Sequence, residues 1–284
     1  MRRGLPVLAM IVFAGCLSGV GPTSTSGPPD TDWASGDSIN TTALTEQHFQ
    51  TLREGGSFTT NHSETVRVDG EAHPVGPRPE GYYPPTFARK QVDLDKGRYL
   101  DTYVTEGHRQ SNHFITPDVT ATRRKQCPDC DYEYSSQQRP DVDTRSERID
   151  RFRTEETVTQ LARFLRGGTA GFNYSYVETV ERGGETLYRY RAEQSLETAP
   201  PPFSAPPNGT ATILVTGEGV IHQFELQYAG PATVTVDGEE QTVNVTHTFI
   251  RTYTDVGETT IERPSWVDRA TNHSSLKKTE TDDQ

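Results

Sequence analysis

Between Phe172 and Glu262 apolar and polar residues alternate with a period of two, and Gly183-Gly184, Gly217-Glu218-Gly219 and Asp237-Gly238 cut the alternation at short intervals. A period of two sends successive side chains to opposite faces of a strand, and glycine-bearing turns supply the conformations that tight hairpins need. Such a chain folds as antiparallel sheet with one buried and one wet face. Only 31% of the 284 residues are hydrophobic, so the core is thin.

The alternation predicts individual strands. Phe172, Tyr174, Tyr176 and Val180 share one face, and Leu187 to Ala192 and Ala211 to Thr216 follow. His222, Phe224, Leu226 and Tyr228 line the next strand. Val243, Val245, His247 and Phe249 line another, and a last strand spans Glu258 to Glu262. The Pro-rich stretch Ala199 to Asn208 cannot pair in a central strand. In the N-terminal half, Phe58, Val66 and Val68 mark a strand over Ser57 to Val68, while Thr86 to Leu94 and Arg98 to Thr105 pair around Asp95-Lys96-Gly97. Arg109 to Thr116 reads as a further strand, and Pro117 to Ile149 as mostly loop.

Two helices are expected. Thr45 can cap the first, which runs to Glu54, with Leu44 placed to staple against Phe49 and Gly55-Gly56 ending it. The second spans Glu155 to Arg166, with Val158, Leu161, Ala162 and Leu165 on one stripe and Gly167-Gly168 at its end.

The first sixteen residues speak to location. Met1-Arg2-Arg3 is a positive n-region, and Leu5 to Phe13 is apolar apart from Pro6. Together they read as a secretory signal, since a membrane-spanning helix needs about 20 apolar residues. Phe13-Ala14-Gly15-Cys16 resembles a lipobox, where a lipoprotein is cut and Cys16 is acylated; an ordinary signal peptide cut nearby is the alternative. Arg2-Arg3-Gly4-Leu5 leaves room for twin-arginine export. The expected organisation is a signal peptide with lipobox over 1–16, a flexible tether over 17–39, one β-rich domain over 40–270 and a disordered tail over 271–284.

Composition fits an exterior setting. The net charge is −12, with five lysines against 23 arginines. An acid-rich, lysine-poor, threonine-rich chain resembles the secreted proteins of salt-loving archaea, and in molar salt the screening length falls to about 3 Å. An acidic surface argues against nucleic acid as a partner.

Candidate sites fall into three groups. Sequons for N-glycosylation stand at Asn40, Asn61, Asn173, Asn208, Asn244 and Asn272. Asn61, Asn173 and Asn244 fall on the polar parity of their strands, where a glycan would clear the core. Cys127-Pro128-Asp129-Cys130 allows a structural disulfide, a metal site recruiting His108 and His113, or a redox dithiol. An oxidising exterior favours the disulfide, and no helix pattern follows the first cysteine to lower its pKa. His222 and His247 sit on apolar parities of neighbouring strands, as core histidines or as a ligand-contacting pair. No hydrolase elbow, zinc-protease motif, phosphate loop or calcium loop is present. No enzyme activity, catalytic residue, cofactor or metal is expected on this basis, and no ligand-binding residue can be named.

The order of these elements, from the helix entering a strand at Glu46 to Thr59 through the long antiparallel run to Pro264-Ser265-Trp266, resembles haloarchaeal surface lipoproteins related to the LolA/LppX-like lipoprotein-carrier fold. The resemblance covers roughly residues 40 to 270. It implies an α+β, mainly antiparallel fold: a curved half-barrel sheet with one or two helices on its concave face around an apolar cavity that holds lipid or acyl chains. No ligand residue transfers by motif. The expectation is a protein anchored to the outer face of the cell membrane by lipid at Cys16, carrying an apolar, lipid-like ligand. The alternative is a structural or interaction protein of the cell surface with a fully packed core.

Overall fold

A computed structural model describes residues 27–69, 71–73, 85–105, 109–138, 172–195, 203–236 and 239–272. The signal and Cys16, the first part of the tether, the expected helix Glu155 to Arg166, His108 and the tail beyond residue 272 lie outside the described residues. In chain order the elements are β1 (Ala34–Ser35), β2 (Ser38–Ile39), α1 (Thr41–Gly55), β3 (Ser57–Val68), β4 (Glu71–His73), β5 (Pro85–Asp93), β6 (Arg98–Thr105), β7 (Gln110–Ile115), β8 (Val119–Lys125) and β9 (Glu133–Gln138). There follow β10 (Ser175–Arg182), β11 (Glu185–Ser195), β12 (Asn208–Thr216), β13 (Ile221–Val236), β14 (Glu239–Thr254) and a short helix α2 over 266–272.

The strands form one open antiparallel sheet in the order β1-β2-β10-β11-β12-β13-β14-β3-β5-β6-β7-β8-β9, with β4 paired to β3. Its ends, β1 and β9, stay apart, so the sheet is a curved half-barrel and not a closed one. The expected fold class is therefore the observed one. Most neighbours follow one another in the chain; the long-range exceptions are β2 with β10 and β14 with β3, and the latter closes the early strands onto the late ones through ten residue pairs. The β13–β14 hairpin is the longest pairing, running from Gln223↔Thr252 to Val236↔Glu239.

Opposite residues of an antiparallel pair point to the same side, so the registers assign two faces. One carries Tyr190, Ile213, Phe224, Tyr253, Phe58, Val92 and Tyr99, and α1 lies on it. Leu44, Thr45, His48 and Leu52 form the buried stripe of α1, packed with these residues into the main core. The other face carries Leu100, Phe114 and Ala121. It is covered by Ile261, Trp266, Val267 and Ala270 from the segment that includes α2. Arg123 is held there by its Nε–H donated to Asn112 Oδ1 at 2.9 Å, with its guanidinium over the rings of Tyr132 (4.8 Å) and Trp266 (5.3 Å). The two described helices thus lie on opposite faces: α1 is the first of the two expected helices, and α2 was not foreseen in the sequence.

Several sequence expectations shift. Helix α1 starts five residues earlier than the Thr45 cap implied, because the carbonyl oxygen of the Asn40 side chain accepts from Thr42 N–H (3.1 Å) and Ala43 N–H (3.2 Å). Thr45 is inside the helix and donates back to Thr41 O at 2.6 Å. The C-terminus is as read: Gly56 has φ of 72° and donates to Arg53 O, and a Cβ at this position would stand 2.6 Å from Asp95 Oδ2. The stretch 117–149, expected as mostly loop, contains β8 and β9. Small and polar residues suffice there because Ala121 is capped by α2 and β9 is an edge strand. A bulge between Tyr176 and Glu178 flips the alternation, so Val180 pairs with Leu187 on the face opposite Tyr176. Residues 258–262 form no strand but an extended crossing of the back face, fixed where Arg98 Nη1 donates to Ile261 O at 3.0 Å.

The tether expected over 17–39 gives way to packed structure before its end. Trp33 is 3% exposed and meets Tyr190 edge-on at 6.2 Å, and Tyr176 N–H donates to Asp37 O at 2.7 Å. An indole among polar neighbours gives no periodicity to read, yet it has a large apolar area to bury.

Candidate functional site

The face that carries α1 is much wider than the helix. Fifteen residues of helix are ~22 Å long, while the thirteen strands of the main path span on the order of 60 Å. Where α1 sits, the face is filled: Leu44, Leu52, Phe58, Val92, Ile213 and Phe224 are all within 1% of full burial. His48 belongs to this zone. Its Nδ1 accepts from Ile221 N–H at 3.1 Å and its ring meets Tyr253 edge-on at 4.4 Å. Burial, and secondarily the positive charge of Arg251, lower its pKa to about 3, so the imidazole is neutral.

Beyond α1 the same face changes character. A second apolar cluster gathers Val66, Phe203, Ala232 and Val245, with Tyr228 against it; Phe203 comes from the Pro-rich insert and bridges to Ala232. Between the two apolar zones lie ionisable groups that the alternation hid. Glu64 Oε1 meets His247 Nε2 at 2.5 Å, and His62 Nε2 lies 3.9 Å from Glu64 Oε2. The His62 ring meets Phe249 edge-on at 4.3 Å, and the Arg251 guanidinium lies 5.5 Å from the same ring. One step across the sheet, Lys90 pairs with Asp101 at 3.8 Å, and Tyr103 Oη donates to Asp101 Oδ2 at 3.3 Å. Both ring nitrogens of His113 are bonded to hydroxyls, Nε2 to Ser111 (2.8 Å) and Nδ1 to Thr122 (3.1 Å).

Buried polar atoms that lack a hydrogen-bond partner gather on this side of the sheet. They include Oη of Tyr174 and Tyr190, Oγ1 of Thr120, and Nε2 of His48 and His62. A buried unpaired polar atom costs about 1–3 kcal/mol, and native proteins keep few of them without a water, ion or ligand to answer them. Burial raises the pKa of both tyrosines, that of Tyr190 to about 12, and the phenols stay protonated as donors.

At the far end of the face, where β6, β7 and β8 terminate, a pocket of about 260 Å³ opens. Tyr103, Arg109, Gln110, Ser111, Arg124 and Lys125 contribute to its wall. Tyr103, Ser111 and Arg124 are in register on the α1 face, whereas Gln110 and Lys125 reach it from the strand ends.

The residues singled out in the sequence do not converge. His247 joins Glu64 on the α1 face, while His222 sits in the bulge between β12 and β13. Its pKa is lowered by burial and by Arg182, with Glu185 opposing. Cys127 and Cys130 are joined by a disulfide in the β8–β9 turn, their Cα atoms 5.1 Å apart. His113 is engaged with Ser111 and Thr122 instead. Among the described residues no group of three or more His, Cys, Asp or Glu is placed to hold a metal ion. Asn40, Asn173, Asn208, Asn244 and Asn272 are exposed, and Asn61 is half-buried. No described helix is long and apolar enough to cross a membrane. What the sequence reading missed is the charged row itself. Its one signal was that His62 and Glu64 share the parity of Phe58 and Val66, and the apolar pattern was read through them.

The solved lipoprotein LppX of Mycobacterium tuberculosis aligns at 11% identity over 78% of this chain and 97% of its own, with a TM-score of 0.40. LprF of Mycobacterium bovis aligns at 10% identity over 81% and 99%, with a TM-score of 0.35. A LolA superfamily protein of Nitrosomonas europaea aligns at 8% identity over 80% and 96%, with a TM-score of 0.22. No curated protein sequence matches. Residues 3–270 match the model of a protein family described as a family of unknown function, DUF7537, and the chain belongs to that family.

Proposed function

We propose that this chain is an exported protein, anchored to the outer face of the cell membrane by lipid at Cys16, that binds or carries an apolar, lipid-like ligand on the α1 face of its open sheet. The observation that carries the reading is the company kept by the unpaired polar atoms. The hydroxyls of Tyr174 and Tyr190 and the imidazole of His62 are buried beside aromatic and aliphatic walls, on the one face that α1 only partly covers. A ligand with a long apolar body and a few polar groups answers both features at once: its body extends the apolar packing, and its polar atoms meet the orphaned donors and acceptors. The exposed sequons, the disulfide turn and the N-terminal signal fit an exterior address. The function is binding and needs no catalytic residue.

A second reading has one observation in its favour. The zone under α1 is solidly packed, as a structural or interaction protein of the cell surface would be throughout. Native mass spectrometry of protein taken gently from its own membranes separates the two. The carrier reading expects additional masses in the lipid range and an acylated Cys16 at the mature N-terminus. Protein that is repeatedly free of lipid would favour the packed-core reading.

A further inference from the structure

We infer that the pocket at the β6–β7–β8 end of the α1 face is a binding site for a phosphate- or sulfate-like anion, held by Arg109, Arg124 and Lys125; as an account of headgroup recognition it rests on the lipid-carrier reading, and as an anion site it stands alone. Three features carry it. Arg109, Arg124 and Lys125 meet at one cavity, and no carboxylate is among the described residues that line it. In a chain with 40 acidic and 28 basic residues, three cations gather at this one cavity, with Glu133 opposite Arg124 in the β8–β9 register, and a cluster of cations of this kind attracts anions.

The second feature is chemistry. Guanidinium forks match the oxygens of phosphate or sulfate in pairs, and the lysine adds a compact charge. The neutral wall groups supply hydroxyls: Tyr103 on β6 and Ser111 on β7 stand in register with Arg124. Gln110 is positioned by accepting from Tyr132 Oη at 2.8 Å, and Lys125 lies 5.8 Å from the Tyr132 ring. The β8–β9 turn therefore orders this wall, and the Cys127–Cys130 disulfide closes that turn.

The third feature is size and place. About 260 Å³ falls below the ~300–1,000 Å³ of sites that enclose whole drug-sized molecules. The pocket thus admits a headgroup and not an entire lipid. It opens at the end of a face on which Lys90, Asp101 and His113 come next, followed by the charged row of Glu64, His62 and His247. An anionic amphiphile would place its headgroup at β6–β8.

The test uses the full chain and three probes: dodecyl phosphate below its micelle concentration, dodecanol, and inorganic phosphate, each measured by titration calorimetry at 0.15 M salt. Arg124→Gln combined with Lys125→Gln removes two of the three cations from partly exposed positions, and Arg124→Lys keeps the charge as a control for folding. The expected result is at least tenfold tighter binding of dodecyl phosphate than of dodecanol. The double variant should lose that preference and keep its dodecanol affinity, while Arg124→Lys keeps most of it. Competition by inorganic phosphate would assign the site to the free anion as well as to the headgroup. Phosphate binding that the double variant abolishes, with no binding of either alkyl probe, would support the anion site and overturn the lipid-carrier reading. Equal affinity of the original chain and the double variant for both dodecyl phosphate and inorganic phosphate would overturn the anion site and leave the carrier reading standing on dodecanol.

Discussion

His48 lets the buried stripe of α1 be tested through pH. In the folded chain its pKa is lowered to about 3 by burial and by Arg251, whereas in the unfolded chain it titrates near 6.5. The unfolded state therefore takes up the proton first as pH falls. Stability is fully present above pH 6.5 and is lost progressively toward pH 3, by ~1.4 kcal/mol per pH unit. Between pH 7.5 and pH 5 this one group costs about 2 kcal/mol. His48→Gln removes the titration while keeping a side chain that can accept from Ile221 N–H. Urea unfolding of both proteins at pH 7.5, 6.5, 5.5 and 5.0 yields two curves of stability against pH. The absolute stabilities will differ because the His48–Tyr253 ring contact is lost, so the slopes carry the comparison. The original chain should lose about 2 kcal/mol more than the variant across this range. Parallel curves would show that His48 is accessible to protons in the folded state, and the account of the zone under α1 as filled would fail.

Other consequences can be measured singly. Asn40→Ala removes the cap of α1 and its sequon together and should cost about 1 kcal/mol in urea unfolding; Asn40→Asp keeps the cap, should cost far less, and isolates any effect of a glycan. Trp266→Ala should destabilise the fold by about 3 kcal/mol or more, because the indole is 8% exposed, closes the back-face cluster and packs on Arg123; Arg123→Ala should reproduce part of the loss. Replacing Cys127 and Cys130 by serine opens a very short loop and should cost about 2 kcal/mol or less. In the unreduced native chain neither thiol should react with a labelling reagent.

How much of this was legible depends on what each residue contacts. The hairpins of the C-terminal half were written locally: Gly183 and Gly184 both adopt positive φ, 63° and 85°, and the strands on either side alternate as a one-faced sheet must. The start of α1 was misread because Asn40 presents two signals at once, a sequon and a cap, and only the structure shows its oxygen on Thr42 and Ala43. Strands β8 and β9 were invisible because their apolar partner, the Trp266 segment, comes far later in sequence, and a strand covered by a distant helix needs little bulk of its own. Trp33 was lost for the converse reason, as a single large residue in a polar stretch. The pocket could not be read at all. Arg109 precedes Arg124 and Lys125 by 15 and 16 residues along the chain, and only the β7–β8 register brings these strand ends together.

The position of the Trp266 segment has a consequence for how the molecule is made. Phe114 and Ala121 leave the ribosome roughly 150 residues before the helix that shields them, so during synthesis the back of the early strands stays bare. The β14–β3 pairing that unites the two halves is likewise formed late, and contacts this distant in sequence form slowly. A nascent chain of this kind needs either a holding partner until residue 270 has emerged or passage through the membrane before it folds at all. In the first case aggregation should rise steeply when the last residues of the described chain are delayed or removed.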